Sequence, residues 1–431
     1  MQQGWLCSRG WNLLPGNLLF VLLVTLVLTN CSLGNRGNPA SGPTPLSVYI
    51  GTQPQTGNGI VYALRADNGS VRWQYKTHTS SVVLTEADGI VYAAGPQSSS
   101  SLVYALRASD GSMLWNVSIN NTDVTWLLLS GGILYAADFP DGIIYGLRAK
   151  DSAVLWHTSI SNAHSGLYFP QVVDGVFYVV SGLDGAIYAI HGSDGSIRWH
   201  FRTKYNSTLT SQVSGGILYA VSASFPPDSL KETVYALRAR DGAELWHADQ
   251  RPNFFSAPAF SNGIVYISGG DGMLYALQAK NGSLLWHMKT GSNGTGQDAP
   301  LVINGVVYNS DPVVGTVTAL RASNGAVQWS AQTQGQGVSA PQLVNGILYV
   351  IGDGNIVYAL QPSDGTIIWS AETDKTPGPI ARFFSVVNGI IYLVDSKTGV
   401  VYALHVEDGT RVWRYTVGPA NSDELLSMMV G

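Results

Sequence analysis

The sequence predicts an all-β protein, a β-propeller built from four-stranded antiparallel blades. Three observations predict it: a thirteen-residue motif recurs, a tryptophan ends each copy at a regular interval, and Asn-Gly or Asp-Gly dipeptides separate short apolar runs. The motif reads VYALRADNGSVRW at 61–73, VYALRASDGSMLW at 103–115 and VYALRARDGAELW at 234–246. A repeat of about 40–50 residues is typical of propellers and solenoids.

The terminal tryptophan of the motif counts nine repeats. Successive copies lie 40 to 47 residues apart, at Trp73, Trp115, Trp156, Trp199, Trp246, Trp286, Trp329, Trp369 and Trp413. Propellers usually have about four to eight blades. We therefore expect eight or nine blades. In the eight-blade alternative the unit around Trp156 is the irregular one, because its turn holds Asp151-Ser152 in place of an Asx-Gly pair.

Each repeat divides into four strands, which we name a, b, c and d. In the unit around Trp286 these are SAPAF, IVYIS, MLYAL and SLLWHM. Asn262-Gly263 joins a to b, and Asn281-Gly282 joins c to d. Asx-Gly between β-branched and aromatic runs predicts two-residue type I′ hairpins. Eight of the nine c–d turns contain Asx-Gly. The repeats show no sustained 3.6-residue period, so helix is not expected.

The two ends of the repeat region are complementary. The first unit begins with a strand b at 47–51 and lacks strand a, whereas ELLSMMVG at 424–431 resembles RFFSVVNG at 382–389, strand a of the last complete unit. We expect the C-terminal strand to pair with the first blade and close the ring, which removes the free radial edges of an open array.

The segment before the repeats resembles an export signal. Arg9 precedes the apolar run 18–28, and Cys31 follows it, as in a bacterial lipoprotein signal, although Asn30 replaces the usual small residue. An uncleaved anchor helix and an ordinary cleaved signal stay open as alternatives. The predicted organisation is a signal or anchor at 1–31, a flexible linker at 32–46 and the propeller at 47–431, tethered to the membrane outside the cytoplasm.

Composition excludes several classes of protein. Only 12% of the 431 residues are charged and the net charge is -5, so the chain has no basic surface for nucleic acid. The two cysteines, Cys7 and Cys31, precede the repeats, which leaves no disulfide framework or thiolate metal site in the propeller. His157, His200, His247 and His287 each follow a motif tryptophan on a different blade, so they cannot converge on one metal.

The motif A-L-x-A-x-x-G-x-x-x-W, as in Ala63 to Trp73, resembles the tryptophan-docking repeat of the pyrroloquinoline-quinone (PQQ) propeller family. In that family the indole packs between blades. The family often has Asp two positions after the first Ala, where this chain has Arg, His or Gln, so the docking hydrogen bonds are expected to differ. One branch comprises dehydrogenases that use PQQ and calcium, and the other comprises non-catalytic propellers, including the lipoprotein subunit of the outer-membrane barrel-assembly machinery.

The dehydrogenase branch resembles this chain in fold only. Its larger members place a disulfide of adjacent cysteines over the quinone, and the propeller here has no cysteine. Asp298, Asp311 and Glu424 are the acids expected near the central channel, although scattered acids of this kind are usually solvated. We therefore expect no catalytic residue, no metal and no cofactor. A small PQQ-dependent quinoprotein dehydrogenase is the alternative, and only that alternative requires PQQ and calcium.

Loop length points to the candidate binding face. The a–b and c–d turns share one face and are uniformly short. The b–c and d–a connections share the other face and vary, for example at 95–101, 222–233, 289–297, 309–315 and 372–379. Binding residues concentrate on variable loops of a rigid scaffold. The candidates are His164, Tyr168, Phe169, Phe225, Asn253, Phe254, Phe255, Gln297, Arg382, Phe383 and Phe384, although many of these aromatics suit core positions equally well.

The sequence thus predicts an exported, membrane-tethered propeller that acts as a non-catalytic scaffold. Its partner is expected to be a protein, a peptide or an envelope ligand. We expect a monomer that is held at the membrane through Cys31 or an N-terminal anchor.

Overall fold

A computed structural model describes the chain in fourteen segments. They span residues 46–54, 58–120, 123–138, 142–160, 167–181, 185–205, 207–224, 232–250, 256–292, 299–335, 337–374, 383–395, 398–417 and 427–431. The predicted signal or anchor, the lipidation candidate Cys31 and the linker up to residue 45 lie outside these segments.

The described residues form 36 β-strands and one 3₁₀ turn, Asp353–Asn355. The first eighteen strands are β1 Ser47–Gly51, β2 Ile60–Arg65, β3 Val71–Lys76, β4 Val83–Ala87, β5 Ile90–Gln97, β6 Ser100–Arg107, β7 Met113–Ile119, β8 Val124–Ser130, β9 Ile133–Asp138, β10 Ile143–Arg148, β11 Val154–Ser159, β12 Leu167–Val173, β13 Val176–Ser181, β14 Ala186–His191, β15 Ile197–Arg202, β16 Ser207–Ser214, β17 Ile217–Ala223 and β18 Glu232–Arg238. The others are β19 Glu244–Gln250, β20 Ala259–Ser261, β21 Ile264–Ser268, β22 Met273–Gln278, β23 Leu284–Lys289, β24 Leu301–Ile303, β25 Val306–Asp311, β26 Thr316–Arg321, β27 Val327–Gln332, β28 Gln342–Val344, β29 Ile347–Gly352, β30 Ile356–Leu360, β31 Ile367–Ala371, β32 Phe383–Val387, β33 Ile390–Asp395, β34 Val400–His405, β35 Arg411–Thr416 and β36 Ser427–Val430.

These strands build nine four-stranded antiparallel sheets, one for each repeat. The first blade is β36-β1-β2-β3, and each later blade takes four consecutive strands, from β4–β7 in the second to β32–β35 in the ninth. Nine blades are therefore confirmed over eight. The unit around Trp156 is a complete blade, β8 to β11, so the expectation that it would be irregular is wrong.

Nine clusters of buried apolar residues hold the ring together, one between each pair of neighbouring blades. The cluster that contains Tyr392 and Trp413 of the ninth blade also contains Val48, Ile50 and Leu64 of the first, so the last blade packs on the first. Strand β36 pairs with β1 in the register Tyr49↔Met429. The predicted closure by the C-terminal strand is confirmed.

The a–b turns are the type I′ hairpins that the sequence predicts. All eight that join consecutive strands have two residues, such as Asp88-Gly89 between β4 and β5 and Asn262-Gly263 between β20 and β21. Both residues of each turn have positive φ, for example 49° at Asn262 and 76° at Gly263. This geometry matches the twist of the paired strands.

The c–d turns differ from the type I′ prediction. Between β22 and β23 the connection is the five residues 279–283, and only Gly282 has positive φ, at 72°. The Asn281 side chain accepts a hydrogen bond from the Ser283 backbone N–H at 3.1 Å, so it caps the turn without entering the left-handed region. The longer turn places one backbone carbonyl against the preceding blade.

Each motif tryptophan donates its indole N–H to that carbonyl. The nine N···O distances run from 2.7 to 3.1 Å, and the acceptors are Ala108, Ala149, Gly192, Ala239, Ala279, Ala322, Pro362, Val406 and Ala66 in chain order of the tryptophans. A tyrosine of strand b lies beside every indole, with ring centroids 5.9 to 6.1 Å apart. Because the acceptor is backbone, the docking needs no Asp at the position where the family often has one.

In eight of the nine blades, the glycine of the c–d turn lies against the docked indole. A Cβ on Gly111 would lie 2.6 Å from Trp73 Cδ2, and one on Gly325 would lie 2.5 Å from Trp286 Cε3. The third blade has Ser152 at this position, with φ 62°. Trp115, which docks on that turn, is only partly buried, whereas Trp73 is 7% exposed.

Deleting residues 424–431 is expected to open the ring, because β36 supplies the inner strand of the first blade. The melting temperature should fall by about 5 °C or more, measured by circular dichroism. Removal of residues 1–45, which precede β1, serves as the control truncation. An unchanged melting temperature after the C-terminal deletion would contradict closure by β36.

Ser152→Gly is expected to stabilise the protein by about 1 kcal/mol, because glycine tolerates positive φ and leaves room for the Trp115 ring. The reverse change in the neighbouring blade, Gly111→Ser, should destabilise it, since its Cβ would collide with Trp73. Urea unfolding curves of the two variants measure both effects. A destabilised Ser152→Gly variant would show that Ser152 makes a favourable contact of its own.

Candidate functional site

The two faces of the ring differ as the sequence predicts. On one, which we call the turn face, the a–b connections all have two residues and the c–d connections have five or six. On the other, the loop face, connections run from two residues, 98–99, to eleven, 290–300. The sequence predicts a variable loop at 95–101, and this prediction is wrong. Most of the segment belongs to strands β5 and β6, which are joined by the two-residue turn 98–99.

Most of the predicted binding residues lie outside the described segments. These are His164, Phe225, Asn253, Phe254, Phe255, Gln297 and Arg382. Phe169 and Phe383 have backbones in β12 and β32, and their side chains also lie outside the described part. Tyr168 and Phe384 are half-buried on inner strands of the fourth and ninth blades, and burial raises the pKa of Tyr168. Their grouping into one face therefore stays a prediction.

Asp311 does not offer its carboxylate to the central channel. It ends β25, has no exposed surface and accepts hydrogen bonds from the Ser292 N–H at 2.6 Å and the Ser292 hydroxyl at 3.2 Å. The backbone N–H groups of Val313 and Val314 also donate to it, at 2.8 and 3.3 Å. This set of donors shapes a turn and does not fit a calcium ligand of a bound quinone. The other two acids, Asp298 and Glu424, lie outside the described segments.

The turn that Asp311 shapes exposes two valines on the loop face. Val313 is 39% exposed and Val314 is 42% exposed. The turn is fixed on its far side as well, because the Gln332 side-chain amide donates to the Val314 carbonyl at 2.6 Å. A rigid turn that displays apolar side chains to solvent is pre-organised for binding, since little conformational entropy remains to be lost.

Threonine side chains join strands c and d within single blades at the loop face. Thr77, Thr203, Thr333 and Thr373 follow strand d in four blades, and each hydroxyl donates to the carbonyl of the residue that precedes strand c, at 2.7 to 3.0 Å. The acceptor is a glycine in three of them and Asn355 in the fourth. These bonds satisfy threonine hydroxyls that the fold buries.

One position at the start of strand c is usually glycine. It lies three residues before the tyrosine of that strand, or before Thr318 in the seventh blade. It is Gly59, Gly142, Gly185, Gly272, Gly315 and Gly399 in six blades, with Ser101 and Asn355 in two others. A Cβ at Gly185 would lie 2.0 Å from the Tyr205 carbonyl oxygen, so the position is tightly closed. The fifth blade instead holds Glu232, which starts β18 and pairs with Ala223 and Gln250.

Glu232 is a buried acid without an observed partner. It is 2% exposed, and neither carboxylate oxygen has a hydrogen-bond partner among the described residues. Burial and, less strongly, the nearby charge of Asp271 in the sixth blade together raise the pKa of Glu232 to about 9. Sequence reasoning missed this residue, although aligning the nine repeats on their tyrosines shows an acid where glycine is usual.

The four histidines are far from a shared site, as predicted. His157, His200, His247 and His287 lie on the outer strands of four successive blades and pack beside tyrosines of their own blades, with centroids 5.6 to 5.9 Å apart. Within the described segments, no group of three or more His, Cys, Asp or Glu residues is arranged to hold a metal ion. No helix in these segments has the length and hydropathy to cross a membrane.

One family model matches most of the chain. It is described as the outer membrane protein assembly factor BamB, and its matches cover residues 57–200, 144–226, 230–315 and 312–428. Together these matches cover residues 57–428 except 227–229, and so include parts of all nine blades. A search of curated proteins finds no significant match.

Solved structures with the same fold come from unrelated sources. The computationally designed protein Ika8 aligns with a TM-score of 0.55 at 15% identity, over 76% of this chain and 93% of its own. Saccharomyces cerevisiae Sqt1 aligns with a TM-score of 0.53 at 13% identity, over 74% of this chain and 94% of its own. BamB from Moraxella catarrhalis aligns with a TM-score of 0.52 at 16% identity, over 73% of this chain and 91% of its own. At these identities the similarity establishes the fold alone.

The raised pKa of Glu232 predicts a pH-dependent loss of stability. Between the unfolded value of 4.5 and about 9, the folded protein holds a proton that the unfolded chain releases, so stability falls as pH rises. Glu232→Gln removes this loss. The free energy of unfolding of the variant, relative to that of the wild type, should rise between pH 5 and pH 9 by up to about 1.4 kcal/mol per pH unit.

Urea unfolding in the presence of a chelator, at several pH values, measures the difference. Glu244→Gln makes the same chemical change at an exposed position of the same blade and is the matched control. Parallel pH profiles for the wild type and Glu232→Gln would contradict the assignment.

Proposed function

This chain belongs to the family of the outer membrane protein assembly factor BamB, and we propose that it is a non-catalytic scaffold that binds a protein partner outside the cytoplasm. The family model covers the nine blades, and propeller scaffolds present loops from a rigid ring. The observation that carries the proposal is the contrast between a uniform turn face and a variable loop face.

The 311–315 turn is the part of the loop face that we propose as a contact with the partner. Val313 and Val314 project from a backbone that Asp311 and Gln332 hold in place. Exposed apolar groups on a pre-organised backbone suit the desolvated centre of a protein interface. We propose that this turn, together with the aromatic residues predicted for the same face, contacts an apolar patch on an envelope protein.

We propose that the segment before the ring tethers it to the membrane. Cys31, the lipidation candidate, is followed by the predicted linker 32–46, which separates it from β1. A flexible linker of that length has a root-mean-square span of about 20 Å, which lets the ring face a membrane partner while it stays attached. We propose lipid attachment at Cys31 as the tether.

Photo-crosslinking tests which face binds. A crosslinking amino acid at position 314 should give a discrete adduct with a partner protein in cells, because Val314 faces solvent on the loop face. The matched control is position 285, at the turn-face end of the outer strand β23, where Leu285 is 45% exposed. Val313→Ser with Val314→Ser should reduce recovery of the partner about tenfold, whereas Leu284→Ser with Leu285→Ser should not.

Two outcomes would contradict the proposal. Adducts at position 285 and none at 314 would move binding to the turn face. Saturable binding of PQQ and calcium, with dye-coupled oxidation of alcohols or sugars, would make the protein an enzyme. We expect no PQQ binding at tens of micromolar, a limit of about -6 kcal/mol.

A further inference from the structure

The seam between the fifth and sixth blades contains two acidic residues at the loop face. We call this the Glu232 seam, and it comprises Glu232 of β18, Asp271 of the turn between β21 and β22, and Tyr275 of β22. We propose that the Glu232 seam binds one divalent metal cation, with Glu232 and Asp271 as its two charged ligands.

The direction of the Glu232 side chain follows from strand alternation. Val234 and Ala236 of the same strand lie in the apolar cluster of this seam, beside Val265 and Tyr275 of the sixth blade. Glu232 precedes Val234 by two residues in a regularly paired strand, so its side chain points to the same side. It is 2% exposed and therefore ends inside the seam.

Asp271 borders the same seam from the sixth blade, because it is bonded to Tyr275, which belongs to the seam cluster. One of its oxygens accepts the Met273 N–H at 3.0 Å, and the other accepts the Tyr275 hydroxyl at 2.6 Å. These two bonds fix the carboxylate and leave lone pairs on both oxygens. Lys289 donates to the backbone carbonyl of Asp271 at 2.5 Å, and the described residues form no ion pair with its carboxylate.

The buried Glu232 carboxyl group needs either a proton or a cation. Its ionised form is unfavourable in the seam because it has no hydrogen bonds, and the carboxylate of Asp271 makes it more so. The other repeats avoid this cost, since six of them have glycine where Glu232 stands. A divalent cation would offset both charges. Calcium suits such a seam, because it accepts carboxylate, carbonyl and water oxygens in flexible geometry.

Calorimetric titration of the purified full chain in mild detergent with calcium chloride tests the proposal. We expect one site per chain, with a dissociation constant of about 10⁻⁴ to 10⁻³ M, the range of extracellular calcium modules. Millimolar calcium should raise the melting temperature by about 2 °C or more relative to a chelator. Glu232→Gln and Asp271→Asn should each abolish the binding heat and the shift.

Two further variants make the outcome decisive. Glu244→Gln, an exposed acid of the fifth blade, should bind calcium like the wild type. Glu232→Gly restores the residue usual in the other repeats, and it provides a folded reference without the carboxylate if Glu232→Gln is unstable. A wild-type chain that shows neither heat nor a melting shift would overturn the proposal, as would a folded Glu232→Gln variant that binds calcium with wild-type affinity.

Discussion

The hydrogen bond from each motif tryptophan to a backbone carbonyl of the next blade is the interaction on which the ring depends. A four-stranded sheet that is apolar on both faces cannot fold alone, so every blade needs two neighbours. The indole supplies a large apolar surface for the seam and a single donor that the carbonyl satisfies. Because the acceptor sits in the c–d turn, the seam and the turn constrain each other.

This coupling explains why connection lengths are uniform on the turn face and variable on the loop face. A c–d turn that changed length would move the carbonyl and leave a buried indole donor without a partner, at a cost of about 1–3 kcal/mol. The b–c and d–a connections supply no acceptor for an indole N–H. The threonine bonds to the residue before strand c fix only the ends of these connections. Sequence variation therefore collects on the loop face, where new contacts leave the docking of the blades intact.

The sequence predicted the architecture because its signals are local and repeated nine times. Periodicity, the a–b turns and the match between 424–431 and 382–389 determine strand order and closure. The c–d turn type was missed because Asx-Gly occurs in both turn classes, and only the docked indole at Gly282 distinguishes them. Asp311 was misplaced for a different reason: its burial depends on Ser292 of the preceding blade, a contact that no sequence spacing reveals.

Glu232 shows how a repeat protein makes one seam different without changing the fold. Glycine at this position allows the connection after strand d to close over the start of strand c, as it does at Gly185. A glutamate that continues the strand requires more room and brings a carboxyl group into the seam. The nine seams share one docking geometry, so such a change affects mainly its own pair of blades. Pseudo-symmetry thus gives the fold its stability, and the residues that depart from it are where a specific function is most readily built.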